Sequence, residues 1–307
     1  YAGPEWYVAT SGSNSNEGSI SSPFSSVQSA IDAASDGHTV IVNPGTYNEN
    51  VEISDLSVTL GSLFLTTGDV SYVSSTILDG QLNGSVIKIN GNGNFNQKEV
   101  KTSGFTIENG ASNFNFGNNY GSGICIEYFN SVVVDQCLIQ NNRGSEGGGI
   151  AASYDVKTLI VKNSVINLND ADGNIGGGIS AGNPSYPIDR FELINSLVYD
   201  NSNSSQGGGL LINSGLSIIV NSTIASNESF GSGPAITFYS GSNDSTLIMN
   251  SIIADNYTEE NSGDPFNPFG PSISDAISQN SNNPIVLINS YLEIEPLNVV
   301  RNKNNFF

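Results

Sequence analysis

Apolar and polar residues alternate in short runs along most of the chain, as in Ile124/Ile126, Ile150/Ala152, Ile179/Ala181 and Leu210/Ile212. A period of two is that of a β-strand, not of a helix. Each run follows a glycine string: "GSGI" ending at Ile124, "GGGI" at Ile150 and Ile179, and "GGGL" at Leu210, in steps of 26, 29 and 31 residues. A second string is interleaved with the first. It reads "QCLIQNN" from Gln136, "NSVINLN" from Asn163, "NSLVYDN" from Asn195, "NSTIASN" from Asn221 and "NSIIADN" from Asn250, in steps of 27, 32, 26 and 29. "GFTIENG" at Gly104 and "NSYLEIE" at Asn289 read as divergent outer copies. Two motifs sharing one irregular period define a repeat of two or three short strands with turns.

Such a repeat buries its apolar side by coiling and stacking on its neighbours, which sets equivalent side chains about 4.8 Å apart in columns. Asn163, Asn195, Asn221 and Asn250 are expected to form an amide ladder, with Ser164, Ser196, Ser222 and Ser251 as a small-residue column beside it. Cys137 falls in the serine column as a core-facing thiol. Leu138, Val165, Leu197, Thr223 and Ile252 alternate with these inward positions and predict an outward, mostly apolar column. Such a column suits a covering loop, a protein partner or self-association. A strand phase shifted by one residue would reverse both columns.

Near the N-terminus the period changes. Phe24, Val27, Ala30, Ile31 and Ala34 recur at helical spacing after Pro23, with Ser25 or Ser26 as N-cap and Asp36-Gly37 as the stop. This predicts a short amphipathic helix closing the open apolar end of the coils. Beyond Asn250 the period breaks, because the next copy begins 39 residues later at Asn289. The intervening Pro/Gly/Asn-rich stretch, residues 261–284, reads as a long loop, either a terminal cap or a functional insertion. One domain, 1–307, is expected: N-terminal strand and capping helix over 1–38, coils over 39–256, and irregular last coils with a C-terminal cap over 257–307.

The combination of "GGGI", "NSxIxxN", "GFTIENG" and "STILDGQLNGSVIKI" from Ser75 resembles the right-handed parallel β-helix proteins of the pectin-lyase-like superfamily. So does the N-terminal string from Trp6 to Ile53. The resemblance implies an all-β, single-stranded right-handed parallel β-helix of about eight to ten coils. Polysaccharide lyases, glycosidases and adhesin-like surface proteins all share this fold, so it leaves activity open.

Composition narrows the partners. Nine Lys and Arg against 29 Asp and Glu give a net charge of −20 over 307 residues. That opposes nucleic acid and anionic lipid and favours neutral, cationic or cation-bridged partners. The two cysteines, Cys125 and Cys137, support neither a disulfide scaffold nor a zinc site, and no stretch reaches the length of a membrane span. With the family resemblance, the acidity and polar turns predict secretion or surface display.

The glycine strings lack the GxxxxGK and GxGxxG spacings of phosphate loops, and a strand follows each one. The outward residues of that strand, Cys125/Glu127, Ala151/Ser153, Ser180/Gly182 and Leu211/Asn213, include one ionisable group, Glu127, and so predict a chemically quiet face. The resemblance raises hydrolases marked by an Asp pair and Gly-His-Gly, but the one histidine, His38, is read as a turn residue. Arg143, Lys157, Lys162 and Arg190 are the bases available to a lyase site on loops, with Asp155 and Asp189 adjacent. Tyr128, Tyr154, Tyr186 and Tyr239 follow equivalent strands and predict an aromatic edge for sugar rings. No cofactor is required; Asp79, Asp170, Asp172, Asp200 and Asp255 permit turn-borne Ca²⁺. The expected function is an extracellular, adhesin-like protein presenting a rigid face to glycan or a surface protein. The competing expectation is a lyase or hydrolase of acidic polysaccharide with loop-borne catalytic residues.

Overall fold

The computed structural model describes residues 3–93, 97–111, 123–239, 245–258, 277–279, 285–292 and 299–301. Within them the chain is an all-β parallel solenoid of about eight turns, the architecture expected from the interleaved motifs. Strands stack into four parallel sheets of eleven, nine, five and eight strands, named here first to fourth in the order a coil visits them. One coil runs through Ser131–Asp135, Leu138–Gln140, Arg143–Glu146 and Ile150–Ser153. The next runs through Thr158–Lys162, Val165–Asn167, Asp170–Ile175 and Ile179–Ala181. The expected loop and C-terminal cap fall mostly on residues 259–276, 280–284, 293–298 and 302–307, outside the described ones.

Inside the coils, apolar side chains stack in register: Ile139, Ile166, Val198, Ile224 and Ile253 pair strand to strand and are buried. Each such side chain contributes roughly 1.5–3 kcal/mol. The strand phase is therefore the one that turns Leu138, Val165, Leu197, Thr223 and Ile252 outward, and these also pair in register. Ile252 is 49% exposed and Tyr291, next in the column, 44%. At its other end the column meets Thr106, whose hydroxyl donates to the carbonyl of Val73 in a helical turn, so part of this face is covered by the chain itself.

Corners between strands are closed by polar ladders. The backbone N–H of Cys137 donates to the Ser164 hydroxyl, and Ser164, Ser196, Ser222 and Ser251 repeat the bond to the next serine at 3.2 Å, ending at Ser290. Cys137 is buried in this column and free, and burial pushes its thiol up to about 11. Outside it, Asn195, Asn221 and Asn250 each donate an amide to the preceding asparagine at 3.1–3.3 Å, and Asn163 donates to Asp135. These asparagines sit at φ near +50°, where a short polar side chain is tolerated.

A second asparagine ladder, at the last position of each "NSxIxxN", is fully buried: Asn142, Asn169, Asn201, Asn227 and Asn256. Asn201 is representative. Its amide donates to the Ile166 and Tyr199 carbonyls and to Asn227 Oδ1, which also accepts the Asn201 backbone N–H. The third glycine of each glycine string packs against this ladder. A Cβ on Gly178 would lie 2.7 Å from the Gly209 carbonyl and 3.1 Å from the Asn201 amide. A Cβ on Gly149 would meet Gly178 and Asn169 in the same way. The two interleaved motifs are thus two halves of one contact.

At the N-terminal end, α1 (Val27–Ala33) starts at Ser26, whose hydroxyl accepts the Ser29 N–H, while both Glu49 oxygens accept the Val27 and Gln28 N–H groups at 2.7 and 3.0 Å. Val27, Ala30 and Ile31 are buried against the neighbouring strands. His38 opens the strand His38–Val42, which corrects its reading as a turn residue. Its Nδ1 accepts the Trp6 indole N–H and the Ser35 backbone N–H.

Leaving buried amide groups unpaired costs about 1–3 kcal/mol each, so Asn227→Ala is expected to lower stability to urea by about 3 kcal/mol. Asn221→Ala, on the exposed outer ladder, is expected to cost less than about 1 kcal/mol. Equal losses would contradict the division between inner and outer ladders.

Candidate functional site

The strands of the fourth sheet are only three or four residues long, so whatever precedes and follows them stands close together. Glu146, Ile175 and Gln206 each immediately precede a glycine string and pair from coil to coil. They form one wall. On the far side Tyr128, Tyr154 and Tyr239 each immediately follow a strand, and Tyr186 arrives after the turn Gly182–Ser185, closed by pairing of Asn183 with Tyr186. The tyrosines form the other wall.

Side chains reach between the walls. The Asn183 amide donates to Glu146 Oε2 at 3.2 Å, and the Tyr239 hydroxyl donates to Gln206 Oε1. The strand positions between them, Cys125, Ala151, Ser180, Leu211 and Thr237, are buried. This corrects the expected quiet outer face: the positions are chemically quiet, yet they are covered rather than open. Glu127 is corrected too, being 5% exposed instead of surface-borne.

The walls enclose a groove of about 410 Å³, lined by Glu146, Tyr154, Asn183, Tyr186, Gln206 and Tyr239 among others. That volume lies in the range of small-ligand clefts, roughly 300–1,000 Å³. Tyr128 stacks on Tyr154 with ring centroids 5.6 Å apart and planes 24° apart; Tyr186 is tilted against Tyr154 at 4.5 Å. Tyr128 and Tyr154 therefore spend faces on each other. Tyr186, 40% exposed, offers the accessible ring surface, and Tyr128 does not line the groove.

Glu146 was not among the residues the repeat singled out. Burial pushes its carboxyl above the usual carboxylate range, with the Asn183 hydrogen bond pulling the other way. It is the one acidic or basic side chain among the described lining residues, apart from the tyrosine phenols. The bases considered for a lyase lie elsewhere: Arg143 pairs bidentately with Asp172, Lys162 lies 3.6 Å from Asp135, and Arg190 pairs with Glu192. Among the described residues no three His, Cys, Asp or Glu side chains converge as a metal site, and no helix is long and apolar enough to cross a membrane.

No protein-family model matches the sequence. Metabotropic glutamate receptor-like protein R of Dictyostelium discoideum is 32% identical over 117 residues, 38% of this chain and 7% of that protein, so the match spans a small fraction of its length. Among solved structures, pectin methylesterase PemA from Erwinia chrysanthemi aligns with a TM-score of 0.48 and 10% identity, over 97% of this chain and 93% of that one. The Aspergillus niger pectin methylesterase aligns at 0.43 and 11%, over 95% and 86%. The carrot enzyme aligns at 0.40 and 10%, over 98% and 86%. This chain's own strand order and register define the parallel solenoid.

Beside the groove, Glu127 Oε1 and the hydroxyl of its register partner Ser153 are buried without hydrogen-bond partners. Burial pushes the Glu127 carboxyl up, with the Lys88 ammonium opposing. A carboxyl raised on folding favours the folded state in acid and loses that contribution as pH rises through its folded value. Glu127→Gln is therefore expected to match the parent in urea stability near the ordinary glutamate pKa, about 4, and to exceed it increasingly toward neutrality. A gap independent of pH would contradict the ionisation cost.

Proposed function

We propose that the protein is an extracellular, non-catalytic β-solenoid that binds glycan in the groove between the Glu146–Ile175–Gln206 wall and the tyrosine wall. The observation that carries this reading is the convergence of Tyr154, Tyr186 and Tyr239 with three amide or carboxyl groups, Asn183, Gln206 and Glu146, in one cleft. Sugar rings are recognised by this combination: an aromatic surface for their C–H faces and planar polar groups for their hydroxyls. A cleft on stacked, hydrogen-bonded coils is also rigid before the ligand arrives, which limits the ordering cost of binding.

Binding is favoured over catalysis by the composition of the cleft. Glycoside hydrolysis uses two carboxyl groups across the scissile bond, and Glu146 is the one carboxyl among the described lining residues. Elimination from a uronate needs a base and a stabiliser for the enolate, and among the described residues the lining holds no lysine, arginine or histidine. Secretion or surface display is part of the same proposal, supported by the strongly acidic surface and the family resemblance.

Glycan-array retention followed by titration with the retained oligosaccharide tests this reading. Tyr186→Ala is expected to weaken binding roughly tenfold, the ~1.5 kcal/mol of an aromatic face contact, and no reducing ends or unsaturated product should accumulate. Turnover, or binding unaffected by Tyr186→Ala, would overturn it.

A further inference from the structure

Within the groove, charge and ring are held by a single turn. Asn183 is buried, and its Oδ1 accepts the backbone N–H groups of Ser185 and Tyr186, both at 2.9 Å. Its carbonyl accepts the Asn213 side-chain amide at 2.6 Å. With Oδ1 committed to the turn, Nδ2 is left to donate, and it does so to Glu146 Oε2. The turn that places the Tyr186 ring therefore also fixes the Glu146 carboxylate beside it. The remaining groove residues, Tyr154, Ile175, Pro184, Ser185, Ser205, Gln206 and Tyr239, carry no formal charge.

We propose that the groove selects a glycan bearing free amino groups, with the Glu146 carboxylate as counter-ion to a sugar ammonium whose ring lies against Tyr186. This rests on the glycan-binding reading above and adds the ligand's chemical class. Three observations converge on it. Glu146 is half-buried, and Asn183 satisfies one of its oxygens by a neutral donor, which leaves the negative charge without a cation among the described lining residues. An ammonium supplies that charge together with N–H donors, the pairing that shortens and strengthens a hydrogen bond. An aromatic face adds attraction for the same cation. The net charge of −20 draws a polycationic oligosaccharide toward the protein and repels a polyuronate. A neutral sugar gains from the tyrosines and amides but offers no countercharge to Glu146.

The test compares three hexamers by calorimetric titration at one fixed, mildly acidic pH and ionic strength: β-1,4-linked glucosamine, its fully N-acetylated form, and α-1,4-linked galacturonate. The glucosamine hexamer is expected to bind about tenfold more tightly than the acetylated one, as one charge-assisted hydrogen bond predicts. The galacturonate hexamer should not bind detectably. Glu146→Gln should remove the preference, bringing the affinities for the glucosamine and acetylated hexamers to within about twofold of each other. Glu146→Asp, which keeps the charge but withdraws it, should retain part of the preference and serves if the Gln variant fails to fold. Equal binding of the glucosamine and acetylated hexamers by the parent protein would overturn the charge selection while the groove reading stands. A preference that survives Glu146→Gln would assign it to the overall field and overturn the role of Glu146. Binding of neither hexamer, or of galacturonate alone, would overturn both readings.

Discussion

The central coils of this solenoid depend on one repeated buried contact: an asparagine amide laid against a glycine. The amide of Asn169 or Asn201 bonds two carbonyls and the asparagine of the next coil, and that of Asn227 bonds the Val198 carbonyl and Asn256. It fits there because Gly149, Gly178 and Gly209 leave room for the neighbouring carbonyl. A methyl group on any of them would overlap backbone atoms, and a lost amide would leave several buried groups unpaired. This explains why the two sequence motifs share one irregular period. Insertions are absorbed in the turns, whereas the contact itself is repeated without change.

The same contact builds the cleft. The residue before each glycine string, Glu146, Ile175 or Gln206, pairs with its counterpart in the neighbouring coil, so these residues line up beside the strands that follow. The strand is short, so the tyrosines at its far end face that wall across a narrow floor of buried small and apolar residues. Rigidity and the shape of the cleft therefore come from one source. A groove made by stacked coils requires no lid or hinge to form.

Much of the fold was legible in the sequence, because columns in a solenoid are local matters of spacing. The Ser164–Ser196–Ser222–Ser251 column, the outer asparagines and the outward Leu138 column all follow from strand alternation within one motif. The inner asparagines were missed although they end the same motif, since a periodic Asn reads equally as a turn residue until its depth is known. The fourth-sheet face was misjudged for a related reason. Alternation tells which side chains point away from the core, but not that walls from other parts of the coil stand over them. Glu146 escaped notice because its column holds Glu, Ile and Gln. Its importance comes from Asn183 reaching across from the next coil, a pairing that spacing within one motif does not contain.

The central claim is that this cleft, and not the outward Leu138 column, meets the ligand. Ring-labelled tyrosine spectra, recorded while the glucosamine hexamer is titrated into the whole protein, test it directly. The account predicts that the Tyr154, Tyr186 and Tyr239 resonances shift together and saturably, while Tyr72 and Tyr291 stay in place. Saturable shifts at Tyr291, with the three groove tyrosines unmoved, would contradict it.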